Sequence, residues 1–236
     1  MLLPTVILFL TALMQTSLGQ ELGKLTEEHK KQIVDMHNAA RRKVDPPARN
    51  MMKMMWSEEA AKNAEKWAAK CLAMPSPPAE RTVQGRICGE TSLETNYFPT
   101  WEKIIGQFSK GSRYFKYGVG STDTTKNVYG YTQMIWHNSN QVGCATSICP
   151  KSANKFYHVC RYCPPGNIVG QLEKPYKEGP PCGDCPDTCE DKLCNRSCEH
   201  TDSYAECNLI VERFSCKNPY AEESCPATCK CPKGVI

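Results

Sequence analysis

An α+β chain is what this sequence predicts: a three-layer α/β/α domain first, then a small unit held together by disulfides. Three observations predict it. Helical apolar patterns come early, strand-like segments rich in aromatic and β-branched residues come later, and ten of the 16 cysteines crowd between Cys182 and Cys231. The 40% apolar share is enough for one core in the first part. Charged residues at 23%, with no short repeat, exclude collagen, coiled coil and gross disorder.

The elements follow in chain order. Residues 1–14 form an apolar run too short to span a bilayer comfortably, and Ser17 and Gly19 put small residues where a leader peptidase cuts, so 1–19 read as a signal peptide. Thr26 caps a helix whose apolar side carries Ile33, Val34, His37, Ala40 and Val44; Pro46-Pro47 stops it. Ser57-Glu58-Glu59 opens a second helix with Ala61, Ala64, Trp67, Ala68 and Cys71 on one packed face. A third begins near Trp101 and carries Ile104, Ile105 and Phe108. Strands are predicted at 128–136, 142–147 and 156–162. Gly118-Val119-Gly120 lacks the third glycine and following helix of a dinucleotide loop and reads as a turn. Pro164-Pro165-Gly166 and residues 174–181 read as a covering tail and linker.

The C-terminal part obeys different physics. It has few large aliphatics (Leu193, Leu209, Ile210, Val211, Phe214), too little to offset chain entropy without cross-links. Each bridge closing a loop of about 15 residues contributes roughly 3 kcal/mol. Charge divides at the same place. From residue 182 onward ten acids face six bases, a net of −4, so with +4 overall and no charge in the leader, residues 20–181 carry +8. Cys182-x-x-Cys185 has a zinc-knuckle look, but a secreted context without a partnered His favours disulfides. Asn195-Arg196-Ser197 is a glycosylation sequon between two cysteines.

Several motifs agree in order along the chain: His37-Asn38, Asn50-Met51, Trp56, Cys88-Gly89-Glu90, Gly130-Tyr131-Thr132-Gln133-Met134-Ile135-Trp136, Tyr157-His158-Val159-Cys160-Arg161-Tyr162-Cys163-Pro164 and the run from Pro175 to Pro186. With them the chain resembles the cysteine-rich secretory proteins of the CAP superfamily, closest in look to the reptile venom branch. The resemblance implies an α/β/α CAP sandwich over 20–167, a linker and disulfide hinge over 168–197 and a helical, ShKT-like cysteine-rich domain over 198–236. It also implies the pairs Cys71–Cys149, Cys88–Cys163, Cys144–Cys160, Cys182–Cys189, Cys185–Cys194, Cys198–Cys231, Cys207–Cys225 and Cys216–Cys229. Spacing alone does not choose among the possible connectivities.

Many members of that family hold a divalent ion in a cleft of two His and two Glu. Here Pro75, Gly130 and Gly111 stand where three of those ligands are expected, and Glu90 is the one remnant. A lone carboxylate does not hold zinc against water, so neither metal nor cofactor is expected. His137 follows Gly130 by an odd offset and would face the other side of a continuous strand. His37 reads as a hydrogen-bonded structural residue, and His29, His158 and His200 have no ligand spacing. Met51, Met52, Met54 and Met55 read as core with one exposed member. No Gly-x-Ser-x-Gly elbow and no Cys-His setting is present, so catalysis is not expected.

Binding remains. The resemblance implies a secreted, soluble, monomeric protein whose partner is a membrane ion channel of a target cell, for example on smooth muscle, with no membrane insertion and no nucleic acid. Ile210, Val211, Phe214 and Tyr220 are the expected contacts, since the acidic balance after residue 182 argues against a lysine entering a cation pore. A glandular or reproductive-tract binding protein without channel activity is the alternative.

Overall fold

The computed structural model describes residues 24–195, 203–204 and 207–230; the expected leader, Cys198, Cys231 and the end of the sequon lie outside the described residues. Helix α1 spans Glu27–Arg42. The Thr26 hydroxyl accepts the His29 N–H at 3.2 Å while the His29 ring accepts the Thr26 N–H at 3.3 Å, a reciprocal cap that satisfies two otherwise orphaned donors. Glu27 and Glu28 in the first turn and Arg41 and Arg42 in the last complement the helix dipole. The helix stops before Val44, which is buried all the same beside Ala48, Met51, Ile135, Tyr176 and Leu193.

Helix α2 spans Glu58–Ala68, capped by the Ser57 hydroxyl on the Ala60 N–H. The expected stripe shifts by one residue at its start: Ala60, Ala64, Trp67 and Ala68 are buried and Ala61 only half so. The cause lies in the strand beneath, where a Cβ on Gly143 would come within 2.1 Å of the Ala61 nitrogen. Backbone meets backbone there, so only glycine permits the approach. Cys71 lies past the helix, at φ 53°. Helix α3 spans Trp101–Ser109 and buries Trp101, Ile104, Ile105 and Phe108.

One sequence expectation is overturned. Residues 128–136, read as a strand from their Val, Tyr, Thr, Ile and Trp, contain instead a short helix, α4, at Tyr129–Met134. Strand propensity is a weak, context-dependent preference. What decides is that Met134 and Ile135, neighbours in sequence, are buried in two different clusters, and that Gly130 lets this segment press against the Phe108 carbonyl.

The sheet has four strands where three were expected: β1 at Met55–Trp56, β2 at Gly89–Thr95, β3 at Gln141–Ile148 and β4 at Phe156–Cys163. Their order is β1-β3-β4-β2, with β1 parallel to β3 and the other pairs antiparallel. Strand β2, Gly-Glu-Thr-Ser-Leu-Glu-Thr, lacks a bulky or cleanly alternating run. Side chains alternate across the central strands: Val142, Cys144, Cys160 and Tyr162 pack with α1, α3 and α4, whereas Ala145, Tyr157 and Val159 pack with α2. The two apolar clusters make three layers. Gly118 and Gly120, both at positive φ, turn the two-residue pairing of Phe115–Lys116 with Gly120–Ser121.

Two buried histidines are satisfied in relay. Thr91 donates to the Tyr162 hydroxyl (3.2 Å), Tyr162 donates to His37 Nε2 (3.0 Å), and His37 Nδ1 donates to the Ile33 carbonyl (2.7 Å). His158 donates through Nε2 to Thr95 (2.9 Å), whose own proton goes to the Tyr97 carbonyl, and accepts from Thr146 at Nδ1 (2.8 Å). Both imidazoles are thereby held neutral, and burial lowers each pKa to about 4. The unfolded chain, with His near 6.5, binds more protons than the folded one between those values, so stability falls as pH drops from 6.5 toward 4. Urea titrations across this window should lose on the order of 3 kcal/mol per histidine; an His158→Gln variant should show a smaller loss over the same range than the parent chain.

Candidate functional site

Seven bridges frame the described residues, with Cα separations from 4.1 to 5.7 Å. Cys71–Cys149, Cys88–Cys163 and Cys144–Cys160 tie the sandwich, Cys182–Cys189 and Cys185–Cys194 tie the hinge, and Cys207–Cys225 and Cys216–Cys229 tie the terminal helices. The expected Cys198–Cys231 pair lies outside the described residues.

The structure gives Glu90 a structural occupation. It sits opposite Arg161 in the β2–β4 register, and the guanidinium of Arg161, fully buried, donates to its carboxylate. Ser76 adds its backbone N–H at 3.1 Å and its hydroxyl at 2.6 Å. Arg161 also reaches Ser76 Oγ at 3.0 Å and, through Nε, Asn63 Oδ1 of α2 at 2.7 Å. Burial lowers the Arg161 pKa and the neighbouring carboxylate opposes that shift. Glu90 therefore neutralises a buried cation. Arg161 was not singled out from sequence, though a charge between Cys160 and Tyr162 in an apolar strand signals the need for a counterion.

The other three positions carry no donor. Pro75 precedes Ser76 and so lies beside Glu90. Gly111, in the 3-10 turn Lys110–Tyr114 that follows α3, and Gly130 of α4 both sit against main chain: a Cβ on Gly111 would be 2.8 Å from Val128 Cα, and one on Gly130 would be 2.8 Å from the Phe108 carbonyl oxygen. Backbone fills the space that a ligand side chain would need. The residues present do not fit a metal ion, and among the described residues no group of three or more His, Cys, Asp or Glu is placed to hold one. His137 lies in the turn beyond α4 and not on a continuous strand, and its backbone and ring both bond the Pro175 carbonyl.

The hinge is docked on the sandwich. Met52 packs among Cys182, Cys185 and Cys194, while Arg42 pairs with Asp191 at 2.6 Å, Arg49 with Asp184 at 2.6 Å, and Lys53 with Glu190. Beyond it, α5 at Cys207–Phe214, α6 at Pro219–Ser224 and α7 at Pro226–Lys230 form the terminal unit. Of the four expected contact residues, Phe214 and Tyr220 are 48% and 53% exposed, while Ile210 and Val211 are half-buried. Leu209, 65% exposed, was not among them. Arg213 lies over the Phe214 ring at 5.5 Å.

Two substitutions check this account. Glu90→Gln leaves Arg161 buried without a counter-charge and should cost about 3 to 5 kcal/mol in urea unfolding. Gly130→Ala forces backbone apart and should lower stability by about 1 to 3 kcal/mol, although alanine is the better helix former.

The model described as the cysteine-rich secretory protein family, CAP, matches residues 34–162, and a second, described as Crisp, matches residues 182–236. Among solved structures, NaASP2 with Zn2+ is 25% identical, with 72% of this chain and 97% of that one covered at a TM-score of 0.56. The hookworm platelet inhibitor shares the fold at 21% identity, 75% and 95% coverage and a TM-score of 0.58. Schistosoma mansoni venom allergen-like protein 4 shares it at 21% identity, 68% and 100% coverage and a TM-score of 0.54. With more than half of its length under the first model and its bridged end under the second, the chain belongs to the cysteine-rich secretory protein family.

Proposed function

We propose that this protein is secreted, is not an enzyme, and modulates a membrane ion channel through its terminal cysteine-rich unit. The observation that carries the reading is the exposure of Leu209, Phe214 and Tyr220 on short helices locked by Cys207–Cys225 and Cys216–Cys229. Apolar and aromatic side chains held out in water by a cross-linked frame lose little conformational entropy on docking, and aromatic anchors of this kind supply much of the energy of protein interfaces. Their charge setting agrees: the net −4 after residue 182 favours apolar contact at a channel mouth over insertion of a cation. Bridged cysteines fit an oxidising extracellular space, and no described helix is long and apolar enough to cross a membrane. The sandwich and its docked hinge add contact area beside the terminal unit.

The test is the purified full chain applied to smooth-muscle cells while depolarisation-evoked current and contraction are recorded. Suppression at or below micromolar dose is expected, and a Leu209→Ala/Phe214→Ala double variant should need at least tenfold more protein with its thermal midpoint nearly unchanged, because both side chains are exposed. No effect of the parent chain at that dose overturns the reading. Binding to gamete or glandular epithelial membranes without a change in current would support the reproductive-tract alternative in its place.

A further inference from the structure

The outer face of α3 carries a hollow that neither the Glu90 cluster nor the terminal unit uses. Because Trp101, Ile104, Ile105 and Phe108 point inward, Lys103, Gly106, Gln107 and Lys110 share the opposite side, at helical positions i, i+3, i+4 and i+7. With Tyr97 and Arg113 they line a groove of about 390 Å³. Lys103, Lys110 and Arg113 are exposed, and none is in an ion pair among the described residues.

Gly106 is the unexplained residue of this face. Glycine inside a helix is disfavoured by about 1 kcal/mol against alanine. Its φ is not positive, and a Cβ there would meet no atom within 4 Å. Neither backbone conformation nor packing calls for it. What the missing side chain does is open the floor of the groove between two lysines spaced about 10 Å apart along the helix axis.

We propose that this groove binds a linear sulfated polysaccharide, with sulfates paired to Lys103 at one end and to Lys110 and Arg113 at the other, and the sugar backbone lying over Gly106. The two lysines stand about 10 Å apart along the helix axis and Arg113 follows Lys110 by three residues, so the cations are spread along the groove, which suits a chain carrying repeated charges. Tyr97 is the one large apolar residue of the groove, so nothing there is built to insert into a bilayer. The bridges place the protein where extracellular polyanions occur, and the +8 of residues 20–181 against the −4 of the tail steers such a polymer to this part of the chain.

Calorimetric titration of the full chain with a heparin oligosaccharide tests the assignment. Binding should weaken steeply between 50 and 300 mM salt, roughly in step with the few ion contacts made. Lys103→Gln/Lys110→Gln/Arg113→Gln should weaken it at least tenfold, while Lys62→Gln/Lys66→Gln/Lys151→Gln, which removes as much charge elsewhere, should change it less than threefold. Gly106→Gln is the decisive variant: it fills the hollow with a better helix former, so the thermal midpoint should hold or rise while affinity falls at least fivefold. Equal losses in the two triple variants, parental affinity of Gly106→Gln, no binding by the parent chain, or tighter capture by phosphatidylserine vesicles than by the oligosaccharide would each overturn the proposal.

Discussion

One buried cation organises the sandwich. Arg41, 1% exposed in the last turn of α1, has no carboxylate among its contacts and is held instead by main-chain carbonyls. Its Nε donates to Met134 at 3.0 Å, Nη1 to Met52 at 2.8 Å and His137 at 3.4 Å, and Nη2 to Trp136 at 2.9 Å and to Ser139. Five carbonyls from two distant segments converge on one planar fork, whose fixed geometry satisfies backbone groups that would otherwise be orphaned in the interior. Burial lowers its pKa to about 9, so it remains charged at neutral pH. Asn38, one turn earlier, grips the backbone of Met54 in both directions, at 3.0 and 2.7 Å. Helix α1 thus fixes the approach to β1 and the exit from α4 together, and through Met52 it also positions the hinge.

The second buried cation, Arg161, explains the fate of the cleft. Glu90 and Ser76 compensate it on the α2 side of the sheet, while on the other side Gly111 and Gly130 let α3 and α4 close on one another. These two features make one consistent picture: a carboxylate committed to a guanidinium and a pocket filled by main chain leave no open coordination position. What the sandwich retains is rigidity, supplied by three bridges and two packed clusters.

The surfaces of the two parts divide by physics. The terminal unit is too small to hide its apolar residues, so its bridges supply stability while Leu209, Phe214 and Tyr220 stay in water. The sandwich buries two packed apolar clusters against its sheet and displays charge on the outer faces of its helices. The acidic tail and the basic body present different chemistry, and the docked hinge, pinned by Arg42, Arg49 and Lys53, joins the body to the chain segment leading into that tail.

Helix caps, apolar periodicity and cysteine density are local properties, and from them the sequence by itself determined α1, α2, α3, the two central strands and the division into a cored part and a bridged part. The placement of His37 in the interior was legible for the same reason, because it shares a helical face with Ile33. The empty ligand positions at Pro75, Gly111 and Gly130 were legible through resemblance. Tertiary structure alone decided the rest. Whether 128–136 coils or extends depended on a close approach to Phe108, the strand Gly89–Thr95 was recognisable only from its partner β4, and the roles of Arg41, Arg161 and Glu90 came from groups far away in sequence. Pairing partners and close backbone contacts arise only when distant segments meet, so no local pattern encodes them.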